Sequence, residues 1–463
     1  MNKIAQRIGF HKSGRPRRWL IALLVDRAGR VRPAFRRVVF KKNGLPRPRY
    51  AVLLNKGNSL AGTTRQVAVD MHVQDWLDER FSALRPLTVF KDTAATNRIN
   101  LVTDSIGASS LFGGVGTAII LAALWAKRTD AELRIITRGE PPSTKAVSTV
   151  LSANGLHFDG PVAFVHAPHF NSDEIAVSSN DMFLATSWWT ARSLLNTVPS
   201  DRIVYLLQED ERMFYPYGDD HLNCSNALAE PFAKVIVNTG LLHRHMTEGH
   251  DAVPGLASRS VSFEPAFVYP LKKSSAVHTG KRKMFVYARP HNDRNLYATC
   301  LQLINQAIIE GVLNPKDWEL HLVGRGLEKR VFDGGLVVRF HDPMAWNDYI
   351  TFLQTMDAGL SFMYTPHPSY PPLDLAAIGV PVLTNRFGVK SDLSSYSKNI
   401  LCTDLTMPAM LDGLRQLLAL ATDPQTCAVN MAGDHINRDW EAALEDVIVQ
   451  LADLTDGRHL HVS

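Results

Sequence analysis

The sequence has no long apolar run that could cross a membrane. The longest apolar stretch near the N-terminus, residues 19–25, is short, whereas a membrane-spanning helix needs about 20 residues. Lys and Arg residues precede this stretch, but the small-residue cleavage pattern of a signal peptide is missing. We therefore expect a cytoplasmic protein that is not transmembrane.

Cysteine and metal-binding motifs are equally scarce. The four cysteines are Cys224, Cys300, Cys402 and Cys427, and no C-x-x-C pair is among them, which excludes a sequence-evident zinc site or redox motif. The segment 166–169 contains two histidines but no further ligand cluster, and no Asp-x-Asp spacing occurs anywhere in the chain. We expect no metal and no cofactor.

Acidic residues are nearly absent from the first 50 residues, where 15 Lys and Arg residues stand against Asp26. This segment carries a charge of +14, and because the whole chain carries +5, the remainder carries −9. Arg clusters among Trp19, Phe35 and Phe40 fit an anionic membrane surface, where each basic residue contributes about 1 kcal/mol. Nucleic acid phosphates or a merely solvated appendage are the alternatives. No base-reading motif is present, so we expect no nucleic acid partner.

The rest of the chain has an ordinary globular composition, with 45% apolar and 21% charged residues in a total of 463, which is enough for two or three domains. From residue 98, short apolar runs alternate with helical stretches, the pattern of a parallel sheet with helices on its faces. The runs predict two sets of strands, 98–104, 132–137, 162–166, 182–186, 202–207 and 234–238, then 283–288, 318–323, 336–341, 358–364 and 381–384.

A polar stretch, residues 271–282, separates the two sets and has the composition of a linker. The sequence thus predicts an α/β protein with two doubly wound, Rossmann-like domains that face a cleft. The predicted parts are a basic extension at 1–96, an N-terminal domain at 97–270, the linker, a C-terminal domain at 283–430, and a helical tail at 431–463 that packs across both domains. Ligands bind between the carboxyl ends of the strands in such sheets.

A glycine-rich loop follows the first predicted strand. Gly113 and Gly114 let backbone N–H groups approach a ligand, and the helix that starts near Val115 favours an anion such as a diphosphate at its N-terminus. The loop is neither a G-x-G-x-x-G fingerprint, since Ile119 stands at the third glycine position, nor a Walker A motif. A tight turn without a ligand is the alternative.

Basic residues follow the first strands of the second domain. Arg289 ends one predicted strand beside a helix start that contains Arg294 and Asn295, and a guanidinium there can bond two phosphate oxygens at once. Arg325, between two glycines after the next strand, is another candidate. A surface salt bridge is the alternative for Arg289.

The most informative segment is the proline-rich stretch 365–385. Prolines end the preceding strand and favour a helix that starts near Pro372. We expect Asp374 in the first turn of this helix, where it can accept bonds from ribose or sugar hydroxyls, and we expect His367, Ser369 and Tyr370 to be presented at the cleft.

In the first domain, Glu209, Asp210 and Glu211 lie just past a predicted strand end, where one carboxylate can act as a general base. A solvated acidic loop is the alternative. Trp188 and Trp189 can form a sugar-stacking wall, although buried packing is the commoner arrangement for such a pair.

Together these residues resemble glycosyltransferases of the GT-B fold, and more narrowly the bacterial rhamnosyltransferases that use dTDP-L-rhamnose to build surface polysaccharides. The resemblance covers residues 97–450 and excludes the basic extension. It rests on segments 98–104, 112–117, 185–191, 208–218, 288–290 and 366–385, of which the Pro-His-Pro-Ser-Tyr-Pro-Pro-Leu stretch is the most specific.

The resemblance implies that the C-terminal domain holds the nucleotide sugar, with Arg289 at the diphosphate and residues 369–374 near the ribose and phosphates. It implies that Gly113 and Gly114 close over the donor, and Arg325, Arg294 or His341 is the second basic phosphate ligand. Many retaining relatives carry two glutamates seven residues apart, but here Pro366 and Asp374 stand at those positions.

The implied reaction is metal-independent and inverting if a β-linked donor gives an α-linked product, on a saccharide or lipid-linked saccharide acceptor at the inner membrane face. The expected general base is Asp210, followed by Glu209 and Asp104. The rival hypotheses are a non-catalytic nucleotide-sugar-binding scaffold and an epimerase or phosphorylase of the same two-domain plan.

Overall fold

The computed structural model describes Leu24, Phe35 and residues 72–94, 96–107, 113–170, 173–269, 280–342, 344 and 346–459. The chain divides into two compact units, Met1–Leu77 and Asp78–Ser463. The predicted membrane-binding segment 1–60, apart from Leu24 and Phe35, and the linker segment 270–279 lie outside the described residues. Both large sheets lie in the second unit.

The first large sheet has seven parallel strands in the order β4-β3-β2-β6-β7-β8-β9, and β1 pairs with β5 beside it. Its strands alternate with helices, as expected for a doubly wound sheet. The chain runs through α1 Val73–Arg80, β1 Val89–Lys91, β2 Arg98–Thr103, α2 Gly114–Arg128, β3 Glu132–Thr137, α3 Ala146–Ala153, β4 Val162–His166, β5 Ile175–Val177, β6 Met182–Ala185, α4 Trp188–Leu195, β7 Ile203–Leu207, α5 Asp219–Leu228, β8 Lys234–Asn238, α6 Gly240–Thr247 and β9 Ser260–Phe263.

The second sheet has six parallel strands in the order β12-β11-β10-β13-β14-β15. Three of its strands are buried along their whole length, which is typical of strands covered by helices on both faces. The elements are β10 Arg282–Tyr287, α7 Tyr297–Ile309, β11 Trp318–Val323, β12 Val337–His341, α8 Trp346–Leu353, β13 Ala358–Leu360, α9 Tyr370–Ala377, β14 Val382–Asn385, β15 Ile400–Thr403, α10 Met407–Ala421, α11 Pro424–Ala432 and α12 Trp440–His459.

The C-terminal helix α12 returns to the first sheet. Its apolar face packs into the core that α2 and the first sheet share, and the Trp125 indole N–H donates to Thr455 Oγ1 at 3.2 Å. The Trp440 indole N–H donates to Asn154 Oδ1 at 3.0 Å. As expected, the tail packs across both domains: the His435 N–H donates to the Tyr396 carbonyl oxygen in the second domain at 2.9 Å, and α12 packs against the first domain. Because α12 and the second sheet are on one chain, this return holds the two sheets together.

The predicted strand pattern is confirmed in its main features, with β3, β4, β8 and β11 at the predicted bounds. In the two large sheets, strands β9 and β15 were not predicted. Strand β13 is shorter than predicted, because it ends at Leu360 instead of residue 364. Residues 78–94, which we assigned to the basic extension, include β1 and so belong with β5 and the second unit. Among the described helices, none is long and apolar enough to span a membrane.

Candidate active site

Tyr370 joins the two sheets at their carboxyl edges. Its hydroxyl lies 2.7 Å from Thr117 Oγ1 in α2 and accepts from Asn238 Nδ2, at the end of β8, at 2.7 Å. The Tyr370 ring also lies beside Gly113, where an added Cβ would approach the ring Cδ2 to 3.5 Å. The cleft edge of the second sheet therefore contacts the glycine loop of the first sheet directly.

Glu209 forms the second contact across the cleft. Its Oε2 lies 3.3 Å from Arg294 Nη1 and accepts a hydrogen bond from Thr365 Oγ1. Burial raises the pKa of Glu209, against the opposing charge of Arg294 and the bond from Thr365. The Arg294 guanidinium also lies over the Phe214 ring, 4.3 Å from its centroid. A buried carboxylate of the first domain thus lies against a basic residue of the second.

Lys390 adds a second cation to this part of the cleft. It is fully buried, and its ammonium donates to the Met363 carbonyl oxygen at 3.1 Å. Burial lowers the pKa of Lys390 to about 8, and the charge of Glu209 works in the opposite direction. Buried cations are rare unless they are paired, so Arg294 and Lys390 together form a site suited to an anion.

His367 and Ser369 are present in the cleft region but are not exposed to it as expected. Both are buried; the Ser369 backbone N–H donates to His367 Nδ1 at 2.9 Å, and Ser369 has a positive φ of 71°. Burial lowers the pKa of His367 to about 3, and the charges of Lys390 and Arg294 act in the same direction. Pro366 and Pro368 restrict the backbone of the turn before α9, and His367 is a neutral neighbour of the two cations.

Asp374 lies deeper than the sequence predicted. Helix α9 begins at Tyr370, which places Asp374 beyond the first turn, and its carboxylate accepts from the hydroxyls of Tyr269 at 2.6 Å and Tyr349 at 3.1 Å. Burial raises the pKa of Asp374 to about 7, against these two bonds. Its carboxylate is therefore engaged by tyrosines within the protein, and the expectation of a helix-start acid is wrong.

The other predicted donor residues of the second domain differ in their surroundings. Arg289 is exposed at the end of β10, with its guanidinium 5.3 Å from the Tyr287 ring centroid. Arg325 is exposed in the loop after β11. Asn295 is buried, and neither its Oδ1 nor its Nδ2 has a hydrogen-bond partner among the described residues. Arg289 is therefore open to a ligand, whereas Asn295 keeps its unpaired polar atoms in the interior.

His341 belongs to the packing of the edge strand. Its Nε2 lies 3.0 Å from His321 Nδ1, the two rings stack with centroids 5.1 Å apart, and Phe352 packs against the same ring at 4.7 Å. Burial, His321 and Arg339 lower the pKa of His341. This neutral, stacked ring is a poor phosphate ligand, which corrects its place among the candidates.

The glycine loop meets the cleft as predicted. Gly113, with φ of 92°, precedes α2, and the Gln208 side-chain amide donates to the Gly114 carbonyl oxygen at 2.8 Å. A Cβ at Gly114 would lie 2.8 Å from Gln208 Nε2. The Gln208 amide thus ties the start of α2 to the end of β7, and a side chain at Gly114 would require the Gln208 side chain to move.

Asp210, the first choice for the general base, is held in a buried ion-pair network. It accepts from Arg212 Nε and Nη2, both at 2.8 Å, and lies 3.0 Å from His245 Nε2. Burial alone would raise its pKa, but the bonds and charges of His245 and Arg212 outweigh that effect and lower the pKa to about 2. A carboxylate with so low a pKa is a weak base. Asp210 is therefore better explained as a structural ion pair.

Asp104, the third choice, has the surroundings of a better base. It follows β2, the Trp189 indole N–H donates to its Oδ2 at 2.7 Å, and its Oδ1 has no hydrogen-bond partner among the described residues. Burial raises the pKa of Asp104, against the Trp189 bond and the charges of His169 and Arg138. The side chain as a whole is about 43% exposed, although Oδ1 itself is buried.

Two surface cavities lie away from these contacts. One of about 530 Å³ lies along α7 near Asn305 and Phe332, and one of about 330 Å³ lies between Arg244 and Tyr396. Neither of the two is lined by a predicted site residue. In the described part of the chain, no group of three or more His, Cys, Asp or Glu residues is arranged to hold a metal.

Four residues of the cleft contacts escaped prediction: Thr117, Asn238, Thr365 and Lys390. Thr117, Asn238 and Thr365 are ordinary polar residues in sequence, and only their contacts across the cleft distinguish them. Lys390 follows the buried strand β14 by five positions with Arg386 between them, so its place in the sequence did not distinguish it.

Solved structures share this arrangement of two sheets. Sucrose-phosphate synthase of Thermosynechococcus elongatus superposes with a TM-score of 0.53 at 12% identity, over 79% of this chain and 99% of that chain. HepE of Anabaena, solved with UDP and glucose, superposes with a TM-score of 0.51 at 14% identity, over 77% and 100% of the two chains. The chain has the GT-B fold, as expected from the sequence.

Two parts of the chain match the domain models of one protein family. Residues 98–239 match the WsaF N-terminal domain, and residues 282–415 match the WsaF C-terminal domain. The two matches occur in the order of the domains, and together they cover more than half of the chain. The protein belongs to the WsaF family.

A curated relative matches part of the chain. O-antigen biosynthesis protein RfbC of Myxococcus xanthus is 27% identical over 315 residues, which is 65% of this chain and 23% of RfbC. The chain therefore spans about a quarter of the length of this relative.

Proposed function

We propose that the protein is a glycosyltransferase of surface polysaccharide synthesis that moves a sugar from a nucleotide donor to a saccharide acceptor. The observation that carries the proposal is the pair of cations, half-buried Arg294 and fully buried Lys390, next to Glu209 at the carboxyl edges of both sheets. Membership of the WsaF family and partial similarity to an O-antigen biosynthesis protein support the same conclusion.

The cations account for departure of the nucleotide. When the bond from the sugar C1 to the diphosphate oxygen breaks, the oxygen keeps the electron pair, and the new negative charge must be stabilised. Arg294 and Lys390 supply positive charge in a site largely closed to water, where electrostatic interactions are strong. Exposed Arg289 supplies a third cation at the mouth of the site. This assignment moves the centre of the diphosphate site from Arg289 to Arg294 and Lys390.

Glu209 has a defined part in this proposal. Its carboxylate pairs with Arg294 when no donor is bound. The incoming diphosphate then displaces this carboxylate and binds Arg294 in its place. Glu209 is then free to contact the donor or acceptor from the first domain.

Asp104 is the proposed general base. The acceptor hydroxyl attacks the sugar C1, and its proton passes to Asp104 Oδ1 as the new C–O bond forms. A raised pKa makes Asp104 a stronger base than Asp210, whose pKa is lowered. The acceptor oxygen attacks C1 on the face opposite the leaving group, which inverts the configuration at C1, while Asp104 takes the proton of the attacking hydroxyl.

The donor proposed is dTDP-L-rhamnose, because the proline-rich segment and the family both resemble rhamnosyltransferases. The test is a thermal-shift and calorimetric comparison of dTDP-L-rhamnose with UDP- and GDP-sugars on the full chain. A ligand at 100 times its dissociation constant stabilises a protein by about 2.7 kcal/mol. Stabilisation by the dTDP-sugar alone supports the proposal. Stabilisation by UDP-sugars alone would contradict the donor, and stabilisation by no nucleotide sugar would contradict the function.

A further inference from the structure

A cluster of buried polar atoms lies in the first domain at the carboxyl ends of β2, β3 and β4. Six atoms of five residues have no hydrogen-bond partner within the described ranges. Unpaired buried polar atoms are rare in native proteins, and each needs an explanation. The atoms are Asp104 Oδ1, Thr137 Oγ1, Arg138 Nε and Nη1, His166 Nε2 and His169 Nδ1.

The sheet places these residues side by side. Strand pairing sets Thr137 opposite both Thr103 and His166, so the residues that follow β2 and β3 are neighbours. The Gly139 N–H donates to the Asp104 carbonyl oxygen at 2.8 Å, and a Cβ at Gly139 would lie 3.0 Å from that oxygen. The glycine thereby lets the two strand ends come close enough to bring Asp104 beside Arg138.

Arg138 is the clearest anomaly in the cluster. Only 1% of it is exposed, and its one hydrogen bond among the described residues runs from Nη2 to the Arg85 carbonyl oxygen at 2.8 Å. Burial lowers the pKa of Arg138, against the charge of Asp104. A guanidinium carries five N–H donors, so an interior position that leaves most of them unpaired is costly unless a ligand completes it.

The unpaired groups define the chemistry of that ligand. Arg138 can only donate, Asp104 as a carboxylate can only accept, and Thr137 and neutral imidazoles can do both. A sugar hydroxyl donates and accepts at once, so neighbouring hydroxyls can bond Asp104 and Arg138 together. A phosphate or carboxylate offers only acceptors and is repelled by Asp104, whose side chain is partly exposed at the site.

We propose that Asp104, Arg138 and His169 form the binding site for a neutral, hydroxyl-rich sugar unit of the acceptor, with Thr137 and His166 beneath it. His169 Nε2 lies 4.0 Å from Asp104 Oδ1, close enough for one hydroxyl to contact both. Half-buried Trp189 lies beside Asp104 and fixes its other oxygen. The assignment rests on the proposed function, because it places the acceptor hydroxyl within reach of the proposed base.

The test uses saturation-transfer NMR on the full chain with saturating dTDP. The probes are methyl α-L-rhamnopyranoside and methyl α-D-glucopyranoside as neutral sugars and methyl α-D-glucuronide as an anionic one. We expect both neutral probes to bind, and Arg138→Met to weaken their binding about tenfold, the effect of losing a hydrogen bond to a charged group. Arg138→Lys keeps the charge but not the planar fork, and should bind the neutral probes with intermediate affinity. Arg192→Met, an exposed arginine of the same domain paired with Glu230, is the control and should bind as the wild type does.

Calorimetry with dTDP separates this inference from the proposed function. We expect the Arg138 variants to bind dTDP with wild-type affinity, which also shows that they are folded. Unchanged binding of neutral sugars by a variant that binds dTDP, or binding of the glucuronide alone, would overturn the sugar site. If Arg138→Met fails to fold, the same comparison is made with Arg138→Lys. Failure of the wild type to bind dTDP would instead contradict the proposed function.

Discussion

The Glu209 carboxylate lies 3.3 Å from the Arg294 guanidinium across the cleft between the two sheets. This carboxylate occupies the position that we propose for an oxygen of the donor diphosphate. Arg294 therefore has two roles: it pairs with Glu209 between the two domains, and in the proposed reaction it stabilises the diphosphate leaving group.

Replacing Glu209 by glutamine removes the competing negative charge and keeps the shape. We expect Glu209→Gln to bind dTDP about tenfold more tightly, or by about 1.4 kcal/mol, because the diphosphate no longer displaces a carboxylate from Arg294. Calorimetry measures the affinity. Glu230→Gln, which breaks the surface pair with Arg192, is the control and should leave the affinity unchanged. Weaker dTDP binding by Glu209→Gln would show that the carboxylate does not compete with the donor.

The Tyr370 hydroxyl should contribute to stability through its bonds to Thr117 and Asn238. Removing it in Tyr370→Phe leaves two buried polar groups with one partner fewer, at a cost of about 1–3 kcal/mol. Thermal and urea unfolding measure the change. Tyr364→Phe is the matched control, since Tyr364 is 48% exposed and should change stability little. Equal stability of the two variants would contradict the importance of this contact.

Asp374 should make stability depend on pH. Its folded-state pKa is raised to about 7, above the ordinary value of the unfolded chain, so the folded state holds the proton more tightly. The contribution of Asp374 is therefore present below the unfolded pKa and is lost as pH rises towards 7, at up to about 1.4 kcal/mol per pH unit.

Asp374→Asn, which does not titrate, isolates this effect. We expect the stability of the wild type, relative to this variant, to fall between pH 5 and pH 8 in urea unfolding experiments. A relative stability that is constant or rises across that range would show that Asp374 is ionised throughout.

Asp104→Asn and Asp210→Asn should fail in different ways. The first removes the proposed base and should lower the rate of transfer by about 10²–10⁴-fold with little change in donor affinity. The second breaks a buried pair with Arg212 and His245 and should cost about 3–5 kcal/mol of stability. Single-turnover kinetics and urea unfolding separate the two. Transfer at the wild-type rate by Asp104→Asn would remove Asp104 from the mechanism.

The basic segment at the N-terminus should bind anionic lipid. We expect the full chain to co-sediment with vesicles that contain phosphatidylglycerol, less so as salt is raised, and a chain without residues 1–60 to remain in the supernatant. Vesicles of phosphatidylcholine alone are the control. Equal sedimentation of both chains with anionic vesicles would leave the segment without a membrane role.

The sequence predicted the sheets better than the site, for physical reasons. Strands such as β3 and β11 are short, mostly apolar segments between helical stretches, and local composition reveals them. Strand β9, Ser-Val-Ser-Phe, is short and half polar, so its place at the edge of the sheet depends on β8. Helix α9 begins two residues before Pro372, and that shift carried Asp374 away from the helix start.

The site depended on partners distant in sequence. Asp210 ranked first as a base because it follows β7, but its pKa is lowered by His245, 35 positions away, together with its near neighbour Arg212. The importance of Lys390 comes from burial near Glu209, which no local pattern encodes. Arg294 was predicted from its place at a helix start, yet its partner Glu209 lies in the other domain.

Calorimetric titration of the wild type and Arg294→Ala with dTDP tests the central claim most directly. We predict that the wild type binds one dTDP per chain. Binding should be weakened at least about tenfold in Arg294→Ala, because a charge-assisted bond to phosphate is lost. The Arg192→Ala control should bind dTDP with wild-type affinity. Equal affinity of the wild type and Arg294→Ala would contradict the anion site in the cleft.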